Sequence, residues 1–289
     1  MATQHKTGSP PGPKKNERWT MSLPWSNDNN GKFIVDSSNL PESAAEGIRG
    51  HLKSQEHHIE EARQWQNASS NVKTFTLVNN CKETIWPGII TRGSDSNDQG
   101  FTLKPGQNAF YNATTAGWSG RIWARTDCNF DKNGTGKCQT GSCGTSLKCT
   151  GPSSPPNTIA EFTLSNDVDF YDISLVDGFN LPLVIAPING KGNCSIAGCD
   201  GDLRQNCSSE LAVKSDGKVV ACRSACDVFN TDEYCCRGAF ANPVACLPSN
   251  YSRSFKQICP AAASYAFDDR SSIITCSASE YIVTFCASR

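Results

Sequence analysis

Residues 233–238 read EYCCRG, which sets Cys235 and Cys236 back to back. A bond between neighbours closes a small strained ring, because bridged cysteines prefer Cα atoms roughly 4.4–6.8 Å apart. On extended backbone adjacent side chains point to opposite faces, so each sulfur is expected to bond a different, distant partner. The chain supplies candidates: 16 cysteines in 289 residues, all between Cys81 and Cys286. A dense, even set reads as a disulfide framework made in an oxidising compartment. Zinc sites use CxxC pairs or mixed Cys/His clusters. The closest spacings here (Cys138, Cys143, Cys149; Cys194, Cys199; Cys222, Cys226) contain no CxxC, and no metal is expected.

Histidine usage narrows the chemistry. His5, His51, His57 and His58 all precede Cys81, so no Ser-His or Cys-His nucleophile is available beyond residue 74. Bridged cysteines are not thiolates. Acid–base work therefore falls to Asp and Glu, and no cofactor is expected. The net charge of −1 gives no footprint for nucleic acid. No apolar run reaches the roughly 20 residues of a membrane span, so no transmembrane segment is expected.

Two textures divide the chain near residue 73. Residues 1–73 contain KTGSPPGPKKNERW and PWSNDNNGK, lack cysteine, and are expected to be a disordered extension. Within them, Ser43 and Glu46 resemble a capping box, with Ile48, Leu52 and Ile59 at near-helical spacing. The His57-His58 pair is read as an exposed polar face. The N-terminus shows no apolar leader although the cysteines call for export. Either the start is misassigned, with a hydrophobic leader encoded just before about Val72, or export is unconventional; the first is preferred. From Thr74 onward TFTLVNN, GFTLKPGQ, GRIWART, AEFTLSN, FYDISLV and EYIVTFC alternate with period 2. Only SACDVFNTDEYCC has helical character. The class is mainly β, a sandwich or flattened barrel with a cysteine-rich lobe.

Residues 74–289 resemble the thaumatin-like (pathogenesis-related class 5) proteins along their whole length. The resemblance rests on FTLVNNC, GWSGRIWARTDCNF, GTGKCQTGSCG, AEFTL, DFYDISLVDGFNLP, DVFNTDEYCC, YSRSFKQICP and SYAFDD, with the cysteines in matching order. It implies the pairs Cys81–Cys286, Cys128–Cys138, Cys143–Cys149, Cys194–Cys276, Cys199–Cys259, Cys207–Cys222, Cys226–Cys235 and Cys236–Cys246. It also implies an antiparallel β-sandwich (74–125, 157–200, 260–289), a small looped lobe (126–156) and a disulfide-rich lobe with a short helix (201–259). A cleft, usually acidic and credited with binding β-1,3-glucan, would carry Arg121, Glu161, Asp172, Asp177 and Asp268, with Asp269 a lesser choice for the last. The chain departs from the family at Ser142 and Ala261, where Asp is usual, and the segment between Glu161 and Asp172 is short.

The carboxylates also bear a reading of their own. EFTLSNDVDFYD reads as a hairpin turning near Asn166-Asp167, which sets Glu161 opposite Asp172. Like charges so placed are destabilising and call for a reason. Paired acids can hydrolyse a glycosidic bond, accept hydrogen bonds from sugar hydroxyls, or simply be neutralised by an arginine. Asp177 has the wrong parity to share Asp172's face and is expected at the Asp-Gly turn beyond the strand. Arg121, Trp123 and Arg125 share a strand face, from which a guanidinium can reach the acids. Phe170, Tyr171 and Phe179 flank the acids as candidate sugar platforms or core; Trp86, Trp118 and Trp123 are expected to be packing.

The expected function is that of a secreted plant defence protein, extracellular or vacuolar, which binds fungal β-1,3-glucan as a monomer. Binding is favoured over hydrolysis. A weak endo-β-1,3-glucanase would use Glu161 as proton donor with Asp172 or Asp177 as partner. An inhibitor of proteases or amylases acting through a surface loop is the other rival. Sequons occur at Asn67, Asn112, Asn133, Asn193, Asn206 and Asn250. A cysteine expected to be bridged stands in the middle of those at 193 and 206, which makes Asn112 and Asn133 the better candidates.

Overall fold

A computed structural model describes residues 25–27, 33–35, 72–92, 99–115, 117–268 and 272–287. It divides into two units, 1–63 and 64–289. In the first, β1 (Trp25–Asn27) and β2 (Phe33–Val35) pair antiparallel. The capping box at Ser43, the His57-His58 pair and Asn67 lie outside the described residues.

The second unit holds the strands β3 (Val72–Asn79), β4 (Ile85–Thr91), β5 (Gln99–Gly100), β6 (Asn108–Thr114), β7 (Ser119–Cys128) and β8 (Cys138–Thr140), then β9 (Ile159–Thr163), β10 (Asp169–Ser174), β11 (Leu183–Ile188) and β12 (Ala197–Cys199), and finally β13 (Ala212–Ser215), β14 (Lys218–Cys222), β15 (Ile274–Cys276) and β16 (Glu280–Phe285). One sheet runs β15-β10-β9-β7-β4-β5 with β8 attached to β7; the other runs β12-β11-β16-β3-β6. Strict alternation along β16 buries Tyr281, Val283 and Phe285 and leaves their neighbours half-exposed. Between the sheets these residues meet Phe75, Leu77, Ile122, Phe162, Tyr171 and Ile173, with the rings of Phe75 and Phe162 edge-on at 4.7 Å. Each such side chain stabilises by about 1.5–3 kcal/mol.

Among the described strands every pairing but one is antiparallel. β3 and β16 run parallel in the middle of their sheet, with Asn79 beside Phe285. Their ends therefore emerge side by side, which brings Cys81 and Cys286 to a Cα separation of 5.0 Å across 205 residues. The other bonds join Cys128–Cys138, Cys143–Cys149, Cys194–Cys276, Cys199–Cys259, Cys207–Cys222, Cys226–Cys235 and Cys236–Cys246. These are the pairs that the family resemblance implies.

The geometry at EYCCRG differs from the extended one expected. Among the described residues the α-helices are α1 (Ala225–Phe229), α2 (Asp232–Cys235) and α3 (Asn250–Ile258). Cys235 ends α2 and Cys236 caps it with φ of 52°, in the left-handed region. The turn at that cap, rather than strand alternation, sends one sulfur back to α1 and the other forward to Cys246. The β13–β14 hairpin and α3 are features that the sequence reading lacked. Ser249 starts α3 by accepting a hydrogen bond from Ser252 N at 3.1 Å. Tyr251, Phe255 and Ile258 then recur at helical spacing on an otherwise polar segment.

The strand face of β7 is shared out by the small looped lobe. Trp123 is fully buried with Cys143, Cys149 and Ile159. Gly88 permits this, since a Cβ there would lie 2.5 Å from the Trp123 ring. Arg125 is also fully buried and points away from the acids. It donates to the carbonyls of Trp86 (2.9 Å), Pro87 (3.3 Å), Ser146 (3.3 Å) and Leu147 (2.8 Å). Burial lowers its pKa to about 10. Arg125 thus ties the looped lobe to β4, and of Arg121, Trp123 and Arg125 it is Arg121 that stays open.

Candidate functional site

Pairing aligns four residues straight across the sheet. Ile90 lies opposite Arg121, Arg121 opposite Glu161, and Glu161 opposite Asp172. The hairpin register read from the sequence is the one observed. Arg121 Nε reaches Glu161 Oε1 at 2.6 Å, offsetting the repulsion that Asp172 imposes from the other side. Both side chains of that pair are about one-third exposed (38% and 33%), whereas Asp172 is only 5% exposed. An ion pair in contact with solvent adds ~0–1 kcal/mol, so its main effect is to set the direction of the carboxylate.

Two residues along each strand, a second outward row runs Ser119–Thr163–Phe170. The Ser119 and Thr163 hydroxyls are 3.2 Å apart, and Phe170 is 47% exposed. Together the rows floor an open groove of about 430 Å³, whose lining adds Thr91, Arg92, Pro152 and Ile273. Two carboxylates thus face two guanidiniums, so the lining by itself is charge-balanced. Thr163 and Ser119 escaped the sequence reading, although the register that paired Glu161 with Asp172 also pairs Thr163 with Phe170. Arg92 and Pro152 come from a strand end and a lobe whose placement has no local signal.

The remaining candidates fall at different distances from the groove. Asp177 sits past the end of β10 in the turn before Gly178, where its carbonyl accepts from Asn157 N at 3.2 Å. It does not line the groove. Burial raises its pKa above the ordinary carboxylate value; the Arg121 charge opposes that shift and the Asp227 charge adds to it. Asp268 is elsewhere. Its carboxylate accepts from Ser264 N (2.8 Å) and Ser264 Oγ (2.9 Å) and pairs with Lys256 Nζ at 3.0 Å. Burial works to raise its pKa, but those bonds and the Lys256 charge bring it below the ordinary value. Asp268 therefore holds the chain after α3, and Asp269 lies outside the described residues. Of the aromatics, Tyr171 and Phe179 belong to the core, Trp118 packs on Phe75, and half-buried Trp86 meets Phe130 edge-on. Phe170, exposed and in the groove lining, offers a ring to the groove.

The sequence pattern of the Thaumatin family matches residues 79–287. The chain belongs to the thaumatin family. Among thaumatin-family relatives, a pathogenesis-related thaumatin-like protein 3.5 of Cryptomeria japonica is 52% identical over 217 residues, covering 74% of this chain and 90% of the relative. Pathogenesis-related protein 5 of Arabidopsis thaliana is 53% identical over 215 residues, covering 73% and 89%. A protein of Prunus avium named glucan endo-1,3-beta-glucosidase is 43% identical over 227 residues, covering 75% and 91%.

Proposed function

We propose that this thaumatin-family chain is an exported plant defence protein that holds β-1,3-glucan of fungal walls in the groove over β7, β9 and β10. The domain responsible is 74–289, with 1–73 an extension outside it. The observation that carries the reading is the aligned row Arg121–Glu161–Asp172 beside the hydroxyl row that ends in Phe170. A glucan presents hydroxyls around flat rings. Carboxylates and threonine or serine oxygens accept from hydroxyls, a guanidinium donates to them, and an aromatic face covers the ring. The groove's shape supports a ligand that lies along the sheet surface. The Prunus relative's name supports β-1,3-glucan as the polymer.

Binding is favoured over hydrolysis by the state of the acids. Glu161, the proton donor expected from sequence, is committed through Oε1 to Arg121. Asp177, made easier to protonate by burial, stands outside the groove lining. Asp177 is therefore not the partner set beside Glu161; Asp172 is. What disfavours hydrolysis there is that the Glu161 carboxylate is held by Arg121 rather than poised to give a proton to a glycosidic oxygen.

The test uses the oxidised full chain on insoluble β-1,3-glucan, following both retention on the polymer and release of reducing ends. Retention without release, weakened but not abolished in Glu161→Gln, is the expected outcome. Release that disappears in Glu161→Gln would replace binding with catalysis. Neither retention nor release would sink the glucan reading and return the row to a purely structural role.

A further inference from the structure

Strand β6 forms one edge of the five-stranded sheet, with β3 as its neighbour in the sheet order. It contains Phe110-Tyr111-Asn112-Ala113-Thr114. Alternation sends Tyr111 and Ala113 into the core and Phe110, Asn112 and Thr114 outward. Tyr111 and Ala113 are buried, Asn112 and Thr114 are exposed, and Phe110 is 70% exposed. A wet aromatic ring on an open strand edge is a liability for edge-to-edge association and calls for a cover.

The same face encodes one. Asn112-Ala113-Thr114 is an acceptor sequence for N-linked sugar. Same-face neighbours on a strand lie about 6.6 Å apart, close to the span of one sugar ring. Phe110 is therefore placed to meet the C–H face of a sugar attached at Asn112. Thr74 Oγ1 donates to Asn112 Oδ1 at 3.0 Å, which steadies the amide and leaves Nδ2 to carry the substituent. From this geometry we infer that Asn112 bears an N-linked glycan whose first N-acetylglucosamine lies on Phe110 and covers the β6 edge.

The donor class is a polyprenyl-pyrophosphate-linked oligosaccharide. Asn112 Nδ2 attacks C1 of its reducing-end N-acetylglucosamine. The C1–O bond breaks with its electron pair leaving on the pyrophosphate, the Nδ2–C1 bond forms, and Nδ2 gives up one proton. The reaction belongs to the compartment that makes the disulfides, so the inference rests on export and is independent of the groove.

The other described sequons lack this arrangement. Asn133 follows Phe130, but that ring is engaged edge-on with Trp86 and lies under the Arg125 guanidinium, 5.2 Å from its centroid. Cys194 and Cys207, the middle residues at Asn193 and Asn206, are bridged. At Asn250 the required hydroxyl is that of Ser252, which is buried and bonded to Ser249 at the start of α3.

The full chain, exported from a plant cell behind a host leader, tests the inference by peptide mass and by melting before and after enzymatic glycan removal. Asn112 should be modified in most molecules, and Asn112→Gln should lose one glycan mass. Removing the glycan should lower Tm by about 2–4 °C, a modest stabilisation for a domain of this size. In Phe110→Ser the same removal should shift Tm by less than about 1 °C. Bare Asn112 in the exported wild-type chain overturns the site. Equal Tm shifts in wild type and Phe110→Ser overturn the ring contact.

Discussion

Asp169 and Asp172 stand three residues apart on β10 and lead opposite lives. Asp169 faces the sandwich interior and is fully buried. It pairs with Lys73 Nζ, accepts from Tyr281 Oη at 2.6 Å and from Ser165 N at 3.2 Å, and so joins the two sheets through their core. Burial, together with the hydrogen bond to Asp169, pushes the Tyr281 phenol above its ordinary value. Asp172 faces outward in the row with Glu161 and Arg121, at the floor of the groove. Odd spacing on a strand makes the two carboxylates point apart. What surrounds each then decides its use. Inside, every charge needs a fixed partner; at the groove floor, partners can be exchanged for a ligand.

That contrast is sharpest under mutation. Lys73→Met removes the cation and leaves the Asp169 carboxyl in the core without its ion-pair partner, which should cost about 3–5 kcal/mol. Denaturant melts at neutral pH measure it, and a loss below ~1 kcal/mol would mean that Asp169 does not depend on Lys73. Arg121→Ala should lower stability by no more than ~1 kcal/mol, because its pair is in contact with water. The same change should weaken glucan retention about tenfold, ~1.4 kcal/mol, in a binding isotherm. A large stability loss with unchanged retention would invert the assignment of the two faces.

The smallest effects concern pH, and here Asp177 and Asp268 should differ in sign. The folded pKa of Asp177 is raised, so its contribution to stability is present below the ordinary value of 3.8 and is lost as pH rises through the folded value. Asp177→Asn should therefore gain on wild type as pH climbs from 3.8 into the neutral range. The folded pKa of Asp268 is lowered, so its contribution is present above 3.8 and is lost as pH falls through the folded value. Asp268→Asn should be less stable than wild type at neutral pH and approach it in acid. Melting curves from pH 2.5 to 7 follow both variants, and parallel curves would contradict the difference in surroundings.

Part of the site is legible in the amino-acid sequence. The Glu161–Asp172 pairing depends on one turn and one alternation over twelve consecutive residues, and both are local properties of the chain. The mainly β class follows from the same periodicity. Helix α3 escapes such a reading because its apolar stripe is only Tyr251, Phe255 and Ile258 among polar neighbours. Its Ser249 cap is the available signal. The burial of Arg125 escapes such a reading for a different reason: strand parity sets it on the same face as Arg121 but carries no information about what covers that face.

Alternation and turn chemistry act over a few residues. They suffice to specify a disulfide-built β protein and the register of the strands that carry Glu161 and Asp172. Which carboxylates meet solvent is settled only by how the chain packs. Lys73 reaches Asp169 across 96 positions, Arg125 reaches Leu147 across 22, and Lys256 draws Asp268 away from the groove. Those partners come from other strands, loops and helices, and their meeting is a property of tertiary structure, which no local periodicity encodes.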